Sequence, residues 1–181
     1  MGVIAITGCP ATGKTLVGKL LAKTLNVPHI DYAEYLLSRG AGKIEEGEIV
    51  LNEELAKKEL NLIKEGVLTG TYILDYINPE NVSVAYVLRC NPKVLFYRYL
   101  IRDYSLEKIR ENLTAEYLDY CLRITLEKLS YEKVNQIDAT LDPPEILANR
   151  IYNYYIHKKY VFESVDWLST VSRPFDLLLM K

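Results

Sequence analysis

Lys14 and Thr15 close the run Gly8-Cys9-Pro10-Ala11-Thr12-Gly13-Lys14-Thr15. An ammonium and a hydroxyl placed directly after a glycine, with a second glycine five residues earlier, fit the spacing G-x-x-x-x-G-K-[ST] of a polyphosphate-binding loop. The glycines let the backbone curl so that several N–H groups face one anion. A helix beginning there adds its partial positive charge. Lys14 would reach the β- and γ-phosphates of a nucleoside triphosphate, and Thr15 would ligate Mg²⁺. A second group of candidates lies in Arg98-Tyr99-Leu100-Ile101-Arg102-Asp103-Tyr104, followed by Arg110. Arg98 and Arg102 are four residues apart and share a helix face. A guanidinium grips phosphate oxygens with a planar fork and does not lose its charge, so these residues suit neutralisation of a phosphoryl group in transfer. The alternative is that they pair with Glu107 and Glu111 on a solvated helix.

These residues need elements to hold them. Val3-Ile4-Ala5-Ile6 reads as a buried strand before the loop, and Leu16 to Ala22 as a helix after it. Further strands are expected at 27–31, 67–73, 82–88 and 134–139. Helices are expected at 32–39, 52–64, from Pro92 to about Ile101, as one long element over 106–129, and from Pro143-Pro144 to about Lys158. Residues 43–48 are charged and read as a mobile loop. Alternating strands and helices predict an α/β fold: a five-stranded parallel sheet with helices on both faces. Ligands of such sheets lie at the carboxyl ends of the strands. That end collects the loop, Asp31, the end of the third strand, Arg89 and the loop after the fifth strand.

Composition narrows the classes. With 49% apolar residues the chain is not disordered, and a net charge of −2 supplies no global field for nucleic acid. Three widely spaced cysteines make no metal pattern and suit a reducing compartment; Cys9 is read as filler within the loop, with a redox-sensitive thiol as the other reading. No apolar run reaches a membrane span, and Met1-Gly2 leads straight into the first strand without a basic leader. The expectation is a soluble cytoplasmic protein. Fifteen tyrosines are read as half-buried packing residues. Residues 160–181, with Trp167 and Leu177-Leu178-Leu179-Met180, are too apolar for a free tail and are expected to pack on the body or a partner. His29 and His157 are assigned to neither catalysis nor metal.

No Asn-Lys-x-Asp string for guanine is present, nor the G-x-G-x-x-G spacing of a dehydrogenase. The stretch Tyr86-Val87-Leu88-Arg89-Cys90-Asn91-Pro92, then Arg98-x-x-x-Arg102-x-Tyr104, Lys108-Ile109-Arg110-Glu111-Asn112-Leu113-x-x-Glu116, Ile137-Asp138-Ala139-Thr140 and Pro144-Glu145, resembles the adenylate kinase-like family of archaea and eukaryotic nuclei. That is the group of the sixth adenylate kinase isoenzyme and the coilin-interacting nuclear ATPase, within the P-loop nucleoside monophosphate kinases. The likeness spans residues 1–158, leaving 159–181 as an extension.

The resemblance implies ATP binding by Ala11, Gly13, Lys14, Thr15 and Leu16, largely through the backbone. It adds Arg102 in a short lid near 101–111, and a monophosphate region at 30–53 that includes Asp31. It implies γ-phosphoryl transfer from ATP to AMP or a similar monophosphate, an ATPase activity, and a part in small ribosomal subunit maturation through a platform ribosomal protein. The rival expectation is an assembly factor in which ATP acts as a switch and kinase activity is weak. The chain departs from the family at the end of the third strand, where Thr69 and Thr71 stand in place of an acid and a histidine. Asp75 would be the missing Mg²⁺-assisting acid if the strand register slips, and Asp31 is another candidate. Pro143 replaces a lysine of the adenine loop. Ala11 replaces a glycine, a change expected to be tolerable only if that residue does not need positive φ.

Overall fold

Central strands of parallel sheets are covered on both faces and so are apolar throughout, as Val3–Thr7 (β1) is: every residue is buried. In this computed structural model, which describes residues 2–45 and 48–170, β1 pairs in parallel with Gly66–Thr69 (β5) on one side and Val82–Arg89 (β6) on the other. His29–Asp31 (β2) extends the sheet beyond β5, and Val134–Asp138 (β7) extends it beyond β6, giving the order β2-β5-β1-β6-β7. The five-stranded parallel sheet expected from the sequence is therefore present.

Alternation along β1 divides the core in two. Val3 and Ala5 point to one cluster with Leu36, Leu60, Leu68, Val87 and Leu122. Ile4 and Ile6 point to the other with Val17, Leu21, Leu88, Ile137, Leu147 and Ile151. Lys14–Leu25 (α1) and Pro144–Ile156 (α8) cover the second face. Tyr32–Ser38 (α2), Glu53–Leu60 (α3) and Tyr120–Lys128 (α7) cover the first. Pro92–Ile101 (α5) and Leu106–Tyr117 (α6) form a third cluster around Leu95, Tyr99, Ile109 and Leu113, which includes Ala11 of the glycine loop.

Three local expectations are corrected. Residues 43–48 do not form a loop: Gly42–Glu45 (β3) and Glu48–Leu51 (β4) pair as an antiparallel hairpin. Its β-branched Ile44, Ile49 and Val50 favour strands even when exposed; the charges obscured that pattern. The third strand stops at Thr69 rather than 73. Gly70 lies so close to Tyr32 that an added Cβ would sit 2.3 Å from its ring, and Ile73–Tyr76 (α4) then makes one helical turn. The long helix over 106–129 is two helices. Asp119 takes φ 57° between α6 and α7 and carries its carboxylate to Arg89. That ion pair repays the left-handed backbone, whose penalty is smallest among non-glycine residues for Asp and Asn.

Residues 160–170 pack on the body. Gln136 N donates to Val161 O and Glu163 N to Gln136 O, which covers the outer edge of β7. The chain then reaches Trp167–Thr170 (α9), whose Trp167 is buried. The apolar run Leu177–Met180 lies outside the described residues. Among the described residues no helix is long and apolar enough to cross a membrane.

Candidate active site

The glycine loop is shaped by what holds its carbonyls. Cys9 O accepts from the Lys14 ammonium at 3.0 Å, from Thr12 Oγ1 at 3.0 Å and from Thr12 N. Pro10 O accepts from Tyr99 Oη at 2.9 Å, and Ala11 O from Arg98 at 3.0 Å. Three successive carbonyls are thus drawn into the body, which fixes the turn that leads into α1. Gly8 must be glycine: its φ is 142°, and a Cβ would lie 2.4 Å from Leu88 O. Gly13 (φ 96°) precedes α1, and no side chain caps that helix. Its first-turn N–H groups therefore remain for an anion. Ala11, contrary to the condition attached to it above, does adopt positive φ, at 61°.

A cavity of about 460 Å³ opens over this loop at the carboxyl ends of the strands. Ala11, Gly13, Lys14, Thr15, Leu16, Asp31 and Arg102 all line it. Tyr32 of the expected monophosphate region, Tyr104 of the expected lid and Thr71 also line it, and so does Lys19, which the sequence reading leaves unassigned. Lys19 carries a signal, four residues beyond Thr15 on α1.

Burial pushes the Lys14 ammonium below its ordinary pKa. Asp31 opposes that shift and Arg102 adds to it. A polyphosphate would restore the charge by supplying anions. Thr15 Oγ1 donates to Asp31 Oδ2 at 3.1 Å, while Asp31 Oδ1 accepts from Ala33 N and Glu34 N and caps α2. Asp31 is in parallel register with Thr69, and His29 shares a hydrogen bond of 3.1 Å with the Thr69 hydroxyl. Asp31 is the one carboxylate among the described residues lining the cavity. The register slip that would bring Asp75 to a strand end does not occur. β5 ends at Thr69, and Asp75 lies within α4, outside the cavity lining.

The arginines separate into different tasks. Arg102 caps the end of α5 and lines the cavity. Arg98 sits behind the loop, donating to Ala11 O and, at 3.5 Å, to Thr140 O. Arg110 borders a different groove, between α6 and α7. Arg89 is buried and bound to Glu116, Asp119 and Gln136.

A family profile described as "AAA domain" matches residues 4–119. A protein of Methanococcus maripaludis named "Putative adenylate kinase" is 31% identical, covering 92% of this chain and 95% of its own length. Proteins of the same name from Thermococcus kodakarensis and Methanocaldococcus jannaschii are 34% and 32% identical, over 83% and 98% of this chain and 84% and 98% of their own. The chain belongs to the archaeal adenylate kinase-like family. As a member it is a P-loop phosphotransferase of the nucleoside monophosphate kinase type. Among solved structures, shikimate kinases from Bacteroides thetaiotaomicron and Aquifex aeolicus share the fold, with TM-scores of 0.62 and 0.57 at 21% and 19% identity. Each covers 86% of this chain, and 98% and 97% of its own length. The carboxylate of the cavity, Asp31, stands on β2, beside the neutral Thr69 at the end of β5.

Proposed function

We propose that this chain transfers the γ-phosphoryl group of ATP to a nucleoside monophosphate, with AMP the first candidate, and hydrolyses ATP slowly when water takes the acceptor's place. One observation carries this reading: the uncapped start of α1, Lys14 and the Thr15–Asp31 pair share a single cavity. The amides of Gly13 to Leu16 would hold the phosphates, with Lys14 reaching the β- and γ-oxygens. Arg102 would swing onto the group in transfer. An oxygen of the monophosphate attacks the γ-phosphorus, the bond to the β-phosphate oxygen breaks, and two diphosphates leave. Because such transfer is positioning and charge neutralisation, no side chain has to change covalently.

Hard oxygen donors suit Mg²⁺. The Thr15 hydroxyl would ligate it and Asp31 would hold one of its waters, where the ion would neutralise the β- and γ-oxygens. Arg98 supports the loop from behind through Ala11 O. Residues 30–53 are the acceptor side in this reading, and residues 101–111 the lid. Unpaired Cys9, Cys90 and Cys121 are compatible with the cytosol.

The test is a coupled assay with ATP and each nucleoside monophosphate. Diphosphate should form faster than hydrolysis with at least one acceptor. Lys14→Met should lower that rate by about 10²–10³-fold, the cost of removing one aimed donor. Equal rates with and without every monophosphate would overturn the proposal.

The neutral Thr69 and Thr71 favour a second reading, in which ATP switches a small-subunit assembly factor that binds a platform ribosomal protein. Recovery of that protein with the ATP-loaded but not the ADP-loaded chain would support it; the same recovery with either nucleotide would exclude it.

A further inference from the structure

The segment after α8 reaches Glu116, beside the end of β6. It follows β7 and buries Trp167, which is 7% exposed. The indole Nε1 donates to Glu116 Oε1 at 2.9 Å. That oxygen also accepts from Arg89 Nε at 2.8 Å and from Cys90 N at 3.1 Å. Glu116 is 1% exposed, and among the described residues its Oε2 has no hydrogen-bond partner. A carboxylate held by one oxygen is sensitive to each donor it has, because a buried charge has no water to fall back on.

What Glu116 touches makes this more than packing. Arg89 ends β6 and Cys90 follows it, and Leu88 O is the atom against which Gly8 is fitted. Cys9 lies close enough for the Glu116 charge to help raise its thiol pKa, after the larger effects of Cys121 and burial. The Cys9 carbonyl in turn carries the Lys14 ammonium and Thr12. Hydrogen bonds therefore run from α9 through one carboxylate to the end of β6, and β6 packs through Leu88 O against Gly8 at the start of the turn that sets Lys14.

We propose that Trp167 is a positioning residue for nucleotide binding: its indole N–H fixes Glu116, Glu116 fixes the strand end and loop turn that hold Lys14, and segment docking and MgATP binding favour each other. The inference rests on the reading that this loop binds MgATP. Coupling of this kind is reciprocal, so it can be read from either end. Trp167→Phe removes the donor and keeps an aromatic ring in the site.

The experiment is calorimetric titration of the full chain and of Trp167→Phe with MgATP and, separately, with AMP, together with amide hydrogen exchange of residues 160–170 in the wild type with and without MgATP. The variant should bind MgATP about tenfold more weakly and AMP unchanged. A loss of packing alone would not split the two ligands in this way. MgATP should slow exchange across 160–170 in the wild type. Equal MgATP affinity of the two proteins overturns the inference and leaves nucleotide binding standing. Should the variant not fold, exchange unaltered by MgATP in the wild type overturns it instead. No MgATP binding by the wild type would remove both readings.

Discussion

Asp31 uses its two oxygens for different ends: Oδ1 caps α2 and Oδ2 takes the Thr15 hydroxyl. Asparagine caps a helix as well as aspartate does, so Asp31→Asn keeps the fold and removes only the charge. Loss of a residue that orients a metal ligand typically costs 10- to 100-fold. Asp31→Asn is therefore expected to lower Mg²⁺-dependent turnover by about that factor, with Asp75→Asn near wild type. Magnesium titrations of the initial rate compare them directly, and the reverse order would return the acid to α4. His29 offers a stability test. Burial is the main cause that holds its pKa below the ordinary 6.5, and Lys19 adds to it. The unfolded chain then binds the proton more readily than the folded one, so His29 costs nothing above about pH 6.5 and stability falls as pH drops through that value towards the folded pKa. The loss of melting temperature between pH 7.5 and 5.5 should be smaller in His29→Gln than in the wild type.

At the level of elements, the glycine loop shows how magnitudes select residues. Left-handed backbone costs an alanine roughly 1–2 kcal/mol. At Ala11 this is offset by about 0.8 kcal/mol for a buried methyl and roughly 0.5–1 kcal/mol for the greater freedom glycine loses on folding. The sum is close to zero, which is why alanine can stand at φ 61°. Ala11→Gly should move the melting temperature by less than about 2 °C. Gly8→Ala meets the same backbone problem with a Cβ 2.4 Å from a main-chain oxygen. It should cost roughly 2–5 kcal/mol, from strain and overpacking together. Thermal melts of the two variants would check both values, and a mild Gly8→Ala would mean that β6 yields more readily than its register with β1 implies.

For the whole molecule, MgATP bound as proposed would touch the glycine loop, α1 and Arg102 at the end of α5 at once, so binding should stabilise the chain as a unit. At one hundred times Kd a ligand specific for the folded state adds about 2.7 kcal/mol. For a chain of this length that is a rise of roughly 5–10 °C. Scanning calorimetry with MgATP, against adenosine as a ligand without phosphates, should show the rise for the nucleotide alone.

The local rules were sufficient for much of this. The loop's spacing, the apolar run of β1 and the helical periodicity of α1 and α8 are properties of neighbouring residues, and from them follow the parallel sheet and the position of Lys14 and Thr15. Other features depend on partners far along the chain. Arg98 turned to Ala11 O because α5 passes behind the loop. Asp31 met Thr15 because β2 is in register with the end of β5, and Asp119 broke a helix to reach Arg89. Trp167 found Glu116 fifty-one residues away. Periodicity records which face of an element is apolar; it carries no information on which buried charge another segment will come to neutralise, and that depends on packing in three dimensions.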